Sequence, residues 1–169
     1  MPATTARIRS MHWTDIPAAH QLEVQLFPVD AWSVETFWSE LALVPSTRCY
    51  VVAVDDEDAV LGYAGIFTAG DDADVQTVAV APQAQGRGLG RLLLHSLIRT
   101  ARERGVSRLF LEVLSDNAPA LALYEREGFE RTGLRRDYYG AGLDAVVMRK
   151  ILGGTVRPEA PVGFVGESS

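Results

Sequence analysis

Two spacings of apolar residues succeed one another along the chain. In TDIPAAHQLEVQLF, Ile16, Ala19, Leu22 and Leu26 recur every three or four positions behind Thr14 and Asp15, with Pro17 in the first turn, and this predicts a first helix. Ser33 can cap a second helix. Glu35 sits in its first turn, where the helix dipole favours an anion, Phe37, Trp38 and Leu41 form its apolar face, and Pro45 closes it. The period then falls to two. RCYVVAV, AVLGYAGIFTA and DVQTVAVAP read as three strands joined by acidic turns, an antiparallel meander.

From Gly86 the pattern becomes helix, strand, helix, strand, strand. Leu89, Leu92, Leu93, Leu97 and Ala101 follow the helical rule, and Gly105 is placed as a stop. SRLFLEVLS is a strand. DNAPALALYEREG is a short helix capped by Asp116 or Asn117, with Pro119 early and Gly128 as its exit. FERTGLRR and DAVVMRKIL close the sheet around the loop DYYGAGL. This order predicts an α/β fold with a mixed sheet and the glycine-rich turn at its centre. A chain of 169 residues supports one core, so residues 1–152 form one expected domain. Residues 153–169, rich in Gly, Pro and Ser, are expected to be a mobile tail.

Composition narrows the function. No apolar run of membrane-spanning length and no secretory h-region are present, which points to a cytoplasmic protein. The single cysteine, Cys49, alternates with strand residues and reads as core packing. A net charge of −6 argues against nucleic-acid binding. Between Arg87 and Arg136, however, ten arginines face six acids, net +4, leaving −10 for the remainder. A basic stretch in an acidic chain suggests a localised anionic ligand.

Gly86, Gly88 and Gly90 fall within five positions directly ahead of the long helix. A strand, a glycine-rich turn and a helix leave the first helical N–H groups unpaired and pointing into the turn, where a diphosphate can settle without a Cβ in the way. Arg87 and Arg91 can add charge-assisted contacts. A Walker A loop needs a lysine here, and the only lysine is Lys150. The third glycine of the dinucleotide fingerprint is also missing. A coenzyme carrying a pyrophosphate remains.

VQTVAVAPQAQGRGLGRLLL resembles motif A of the GCN5-related N-acetyltransferase (GNAT) superfamily, whose Q/R-x-x-G-x-G/A signature falls on Gln85, Gly88 and Gly90. The run E-V-x-x-x-N-x-x-A-x-x-L-Y followed by RRDYY resembles a narrower branch, the ribosomal-protein-alanine N-acetyltransferases. The resemblance implies a central, mostly antiparallel sheet with a parallel pair splayed at the acetyl-CoA site and helices on both faces. It implies acetyl-CoA as co-substrate, held by Val78, Ala79, Val80, Gly86, Arg87, Gly88, Leu89, Gly90, Arg91 and Asn117. Glu112 would then be the base and Tyr124 the acid, with the Val78 amide at the thioester oxygen. Acetyl would pass by direct attack to the N-terminal alanine of a ribosomal protein or to another protein. Asp30, Trp32, Tyr138 and Tyr139 would line the acceptor entrance. His12, His20 and His95 have no metal spacing, so no metal is expected, nor a nucleic-acid or membrane partner. Two positions depart from the branch: Ala31 stands where proline usually precedes the loop tryptophan, and Thr77 where asparagine is common. The same motif A also admits acetylation of protein lysines or of a small amine, or a coenzyme-binding sensor without catalysis.

Overall fold

The structure, a computed structural model, describes residues 5–153. Most of the expected tail therefore lies outside the described residues. The first strand is one that the hydrophobic pattern did not signal: β1 (Arg7–Ser10) pairs antiparallel with β2 (Arg48–Val54) at the sheet edge. Four residues with two arginines are too few for periodicity to register, and partners far along the chain fix the strand instead. Arg9 donates to both Asp15 oxygens at 2.8 and 2.9 Å, and its Nε donates to Asp58 at 3.1 Å.

That contact also corrects the expected helix cap. α1 (Ile16–Leu26) begins behind Asp15, but the Asp15 carboxylate serves Arg9 and the His12 amide and makes no cap bond. α2 (Val34–Leu41) is capped as the sequence predicts, with Ser33 Oγ accepting the Thr36 N–H at 3.1 Å. Phe37 is buried on its inner face. Trp38, expected beside it, is turned outward and stacks on Trp13 at 6.1 Å between ring centres.

β2, β3 (Val60–Ala69) and β4 (Asp72–Val80) form the predicted meander. α3 (Leu89–Glu103), β5 (Arg108–Leu114), α4 (Ala118–Arg126), β6 (Glu130–Arg135) and β7 (Ala145–Ile151) complete a sheet of order β1-β2-β3-β4-β5-β7-β6. β4 and β5 are its one parallel pair.

Alternation along β2 shows why both faces are covered. Val51 and Ala53 point to α3 and α4, while Tyr50, Val52 and Val54 point to α1 and α2. A strand buried on both faces reads as a continuous apolar run, as RCYVVAV does. On α3, Leu89, Leu93, Leu97 and Ala101 are buried with Leu94 and Ile98, whereas Leu92 is 45% exposed. Cys49 is half-buried and packs against the α3 side.

Two irregularities open the sheet at its centre. The parallel ladder covers only Asp72–Asp74 against Arg108–Phe110, after which the two strands part. The register between β3 and β4 slips there too: Gly65 faces Thr77 while Ile66 faces Val75, leaving Gln76 as an extra residue. Such a bulge increases local twist and turns the strand away from its neighbour.

Candidate active site

The gap between the parted strands is a cleft of about 1040 Å³. Its walls are the α1–α2 loop, the bulged stretch of β4, the facing part of β5 with the start of α4, and the β6–β7 loop. Glu112, Tyr124, Asn117, Val78, Asp30, Trp32, Tyr138 and Tyr139, widely separated in sequence, all line it.

Peptide directions on β4 follow from one bond. The Ala81 N–H donates to the Leu61 carbonyl of β3 at 2.8 Å, so by strand alternation Ala79 also points to β3, and Val78 and Val80 point into the gap. Of the three residues expected to meet the coenzyme's pantetheine, Ala79 therefore has its peptide groups committed to the sheet. The Val78 amide faces the gap beyond the end of the β4–β5 ladder. Gln85 Nε2 donates to the Val80 carbonyl at 3.1 Å and folds the turn back on the strand.

In the turn, Gly86 and Gly88 both have φ +78°, which costs a residue with a Cβ about 1–2 kcal/mol. Among the described residues, a Cβ at either would meet no atom within 4 Å beyond its own chain neighbours, so the space beside them is open. The first helical bond is Leu92 N–H to the Gly88 carbonyl at 3.1 Å, and among the described residues the amides of positions 86 to 91 have no backbone acceptor. This array suits a diphosphate. Gly90 belongs to α3 itself, where a Cβ would stand 3.3 Å from the Leu123 methyl of α4, so its bare Cα lets the two helices approach. The Leu89 side chain is buried, leaving only its amide for a ligand. Arg91 pairs with Glu127 at 3.0 Å, and Glu127 also holds His95, whereas Arg87 is exposed without a carboxylate partner among the described residues.

Glu112 projects from β5 into the cleft and pairs with Arg135 Nε of β6 at 3.2 Å. Arg135 also lies 5.4 Å from the Tyr138 ring centre. The Tyr138 hydroxyl faces Glu112, and that contact, with some desolvation, raises its pKa above the ordinary phenol value. Tyr124 is 8% exposed, its ring edge-on to Phe129 at 5.8 Å, and burial first, then Tyr139, pushes its pKa up to about 12. Asn117 Oδ1 caps α4 through the Ala120 N–H at 3.2 Å, leaving its amide NH₂ to donate elsewhere. Trp32 packs edge-on against Phe37 and Tyr50, and Tyr138 against Tyr139. Asp30 is exposed at the rim.

The Acetyltransferase (GNAT) family profile matches residues 9–129. The chain belongs to this family. It is similar to the N-alpha-acetyltransferase RimI of Mycobacterium tuberculosis, 43% identical over 142 residues covering 80% of this chain and 86% of that protein. It is similar also to the [ribosomal protein bS18]-alanine N-acetyltransferase of Salmonella typhimurium, 39% identical over 140 residues, covering 80% and 90%. The crystal structure of the ribosomal-protein-S18-alanine N-acetyltransferase from Escherichia coli superposes with a TM-score of 0.80 at 33% identity, covering 92% of this chain and 99% of that one. This GNAT chain is an acetyl-CoA-dependent N-acetyltransferase.

Three cleft residues of this acetyltransferase carry no signal in motif A: Glu23, Asp74 and Arg135. Glu23 could have been found, because it lies four residues after Ala19 and seven after Ile16, on the helix face predicted to be buried. Asp74, at the last rung of the parallel ladder, has its pKa raised by burial, then by Glu112 and Asp72. Among the described residues the cleft thus carries four carboxylates, Glu23, Asp30, Asp74 and Glu112, against one cation, Arg135. Among the described residues, no group of three His, Cys, Asp or Glu is arranged to hold a metal, and no helix is long and apolar enough to cross a membrane.

Proposed function

We propose that this enzyme acetylates the α-amine of proteins that begin with alanine, with ribosomal protein bS18, the substrate named for its relatives, as the first candidate. The observation that carries this reading is the convergence of Glu112, Tyr124, Asn117 and the Val78 amide on one acid-lined cleft where β4 and β5 part.

Acetyl-CoA supplies the activated acetyl group as a thioester. The amides of positions 86 to 91, with Arg87, would hold its diphosphate, and Val78, Val80 and the Asn117 amide its pantetheine arm. Glu112, oriented by Arg135, accepts the proton that the amine sheds as the C–N bond forms, directly or through one water. The Val78 N–H stabilises the oxygen on which charge develops. Tyr124 donates its proton to the departing sulfur. With the phenol near 12 and a thiol near 8.5, a separate proton transfer would be uphill by about 5 kcal/mol, so donation accompanies C–S cleavage. An α-amine of pKa about 8 is already roughly 10% neutral at pH 7, whereas a lysine side chain costs about 3 kcal/mol more to deprotonate. One carboxylate base is therefore sufficient for an N-terminus.

The test is a peptide panel resolved by mass spectrometry: the bS18 N-terminal sequence, its N-blocked form, and an N-blocked peptide with a free lysine. Acetylation of the first alone supports the proposal. Acetylation of the lysine peptide, or of small amines in preference, overturns the acceptor assignment, and coenzyme binding without any transfer would make the chain a sensor.

A further inference from the structure

Glu23 takes no part in the steps above, yet it is only 3% exposed. α1 carries it beneath the acceptor loop. One oxygen accepts the Trp32 N–H at 3.2 Å and the other accepts the Tyr63 hydroxyl. A carboxylate offers about four acceptor positions, so about two remain free. No cation forms an ion pair with it among the described residues. Burial, the largest influence, raises its pKa against the two donors. A buried carboxylate without a counter-cation is costly, and such cost concentrates at functional positions.

Its place identifies the missing partner. Glu23 lines the cleft with Thr77 and Val78, and Tyr63, which holds it, stands opposite Ala79 in the β3–β4 register. A purely structural role would be filled better by glutamine, whose carbonyl could accept the Trp32 N–H and whose NH₂ could donate to the Tyr63 oxygen without burying charge. What glutamine cannot do is attract a cation.

The geometry points to Glu23 as the anionic seat of the acceptor's α-ammonium, which brings the absent positive charge and three N–H donors to the carboxylate's free positions before it releases one proton to water and attacks as the neutral amine, whose second proton Glu112 takes. This rests on the N-terminal-amine reading above. At pH 7 an α-amine is still mostly protonated, so the cation is the species that first arrives.

The test compares an alanine-starting peptide with its des-amino counterpart, in which hydrogen replaces the amine, by calorimetry on the enzyme saturated with coenzyme A so that no transfer occurs. The wild-type chain is expected to favour the amine by at least about tenfold, since removing one partner of a desolvated charge pair costs well over 1.4 kcal/mol. In Glu23→Gln the preference falls to nearly one, while affinities for the des-amino peptide and coenzyme A stay unchanged. Tyr63→Phe keeps the carboxylate and removes one donor, so the preference persists. A preference retained in Glu23→Gln, equal weakening of both peptides there, its loss in Tyr63→Phe, or no preference in the wild type overturns the assignment. A wild type that binds coenzyme A but neither peptide overturns the acceptor reading itself, and this seat with it.

Discussion

The proposed reaction rests on two side chains held differently. Glu112 is oriented by an ion pair and open to the cleft, whereas Tyr124 is sealed among apolar residues that keep its proton on. Glu112→Gln and Tyr124→Phe are each expected to lower kcat by about 10²–10⁴, the usual contribution of a positioned acid or base, with acetyl-CoA affinity unchanged by calorimetry. Equal turnover in either variant would remove that residue from its role. The raised Tyr124 pKa also has a direction in pH. Its phenol stays protonated well above the ordinary value of 10, so the kcat profile should show no loss between pH 8 and 10 from this group. Because burial penalises the phenolate, the shift costs the fold nothing below pH 10 and destabilises it increasingly as pH rises from 10 to about 12.

At the scale of elements, the site is made where regular pairing fails. Gly65, at the β3 side of the bulge, lies under the Tyr50 ring: a Cβ there would fall 2.0 Å from the ring, whose hydroxyl is tied to Glu40 at 2.7 Å. Gly65→Ala should cost about 1–3 kcal/mol by urea unfolding, because a ring fixed at both ends cannot yield easily. Gly88→Ala places a Cβ at φ +78° in the open turn and is expected to weaken acetyl-CoA binding at least tenfold while destabilising the chain by about 1–2 kcal/mol. Much of this was legible beforehand. The strand patterns located β2 to β7, the expected caps at Ser33 and at Asp116 or Asn117 located two helix starts, with Asn117 the one used, and Gly86 and Gly88 located the turn. What escaped depends on contacts that no local pattern encodes. β1 is defined by β2 and Asp58, the Gln76 bulge exists only in register with β3, and Gly90 is explained by Leu123 on another helix. Glu23 falls on the face of the first helix predicted to be buried, but its partners Trp32 and Tyr63, nine and forty residues away, are not visible in that pattern.

For the molecule as a whole, charge is sorted by location. The basic stretch that suggested an anionic ligand is partly neutralised in place, with Arg91, Arg108, Arg131 and Arg135 each paired to a carboxylate. The cleft remains acidic, which suits an incoming N-terminal cation, and the free amides and Arg87 of the turn suit a diphosphate at the other end. Far from both, Arg9 binds β1 to the start of α1 through Asp15 and holds that carboxyl below its ordinary 3.8. A depressed acid stabilises the fold above its unfolded pKa and loses that contribution as pH falls through the folded one. Asp15→Asn should therefore lower Tm at pH 6 and flatten its decline below pH 4, with acetyl transfer intact at neutral pH. Glu23 has the opposite sign: its raised pKa makes ionisation unfavourable to the fold above pH 4.5, so Glu23→Gln should leave Tm at pH 7 equal or higher while losing amine selectivity.

The most direct measurement is mass spectrometry of one peptide carrying the bS18 N-terminus and an internal lysine, incubated with acetyl-CoA and this enzyme. The predicted result is a single acetyl group on the alanine α-amine, absent when Glu112→Gln replaces the wild type. An acetyl group on the lysine, or transfer undiminished in Glu112→Gln, would contradict it.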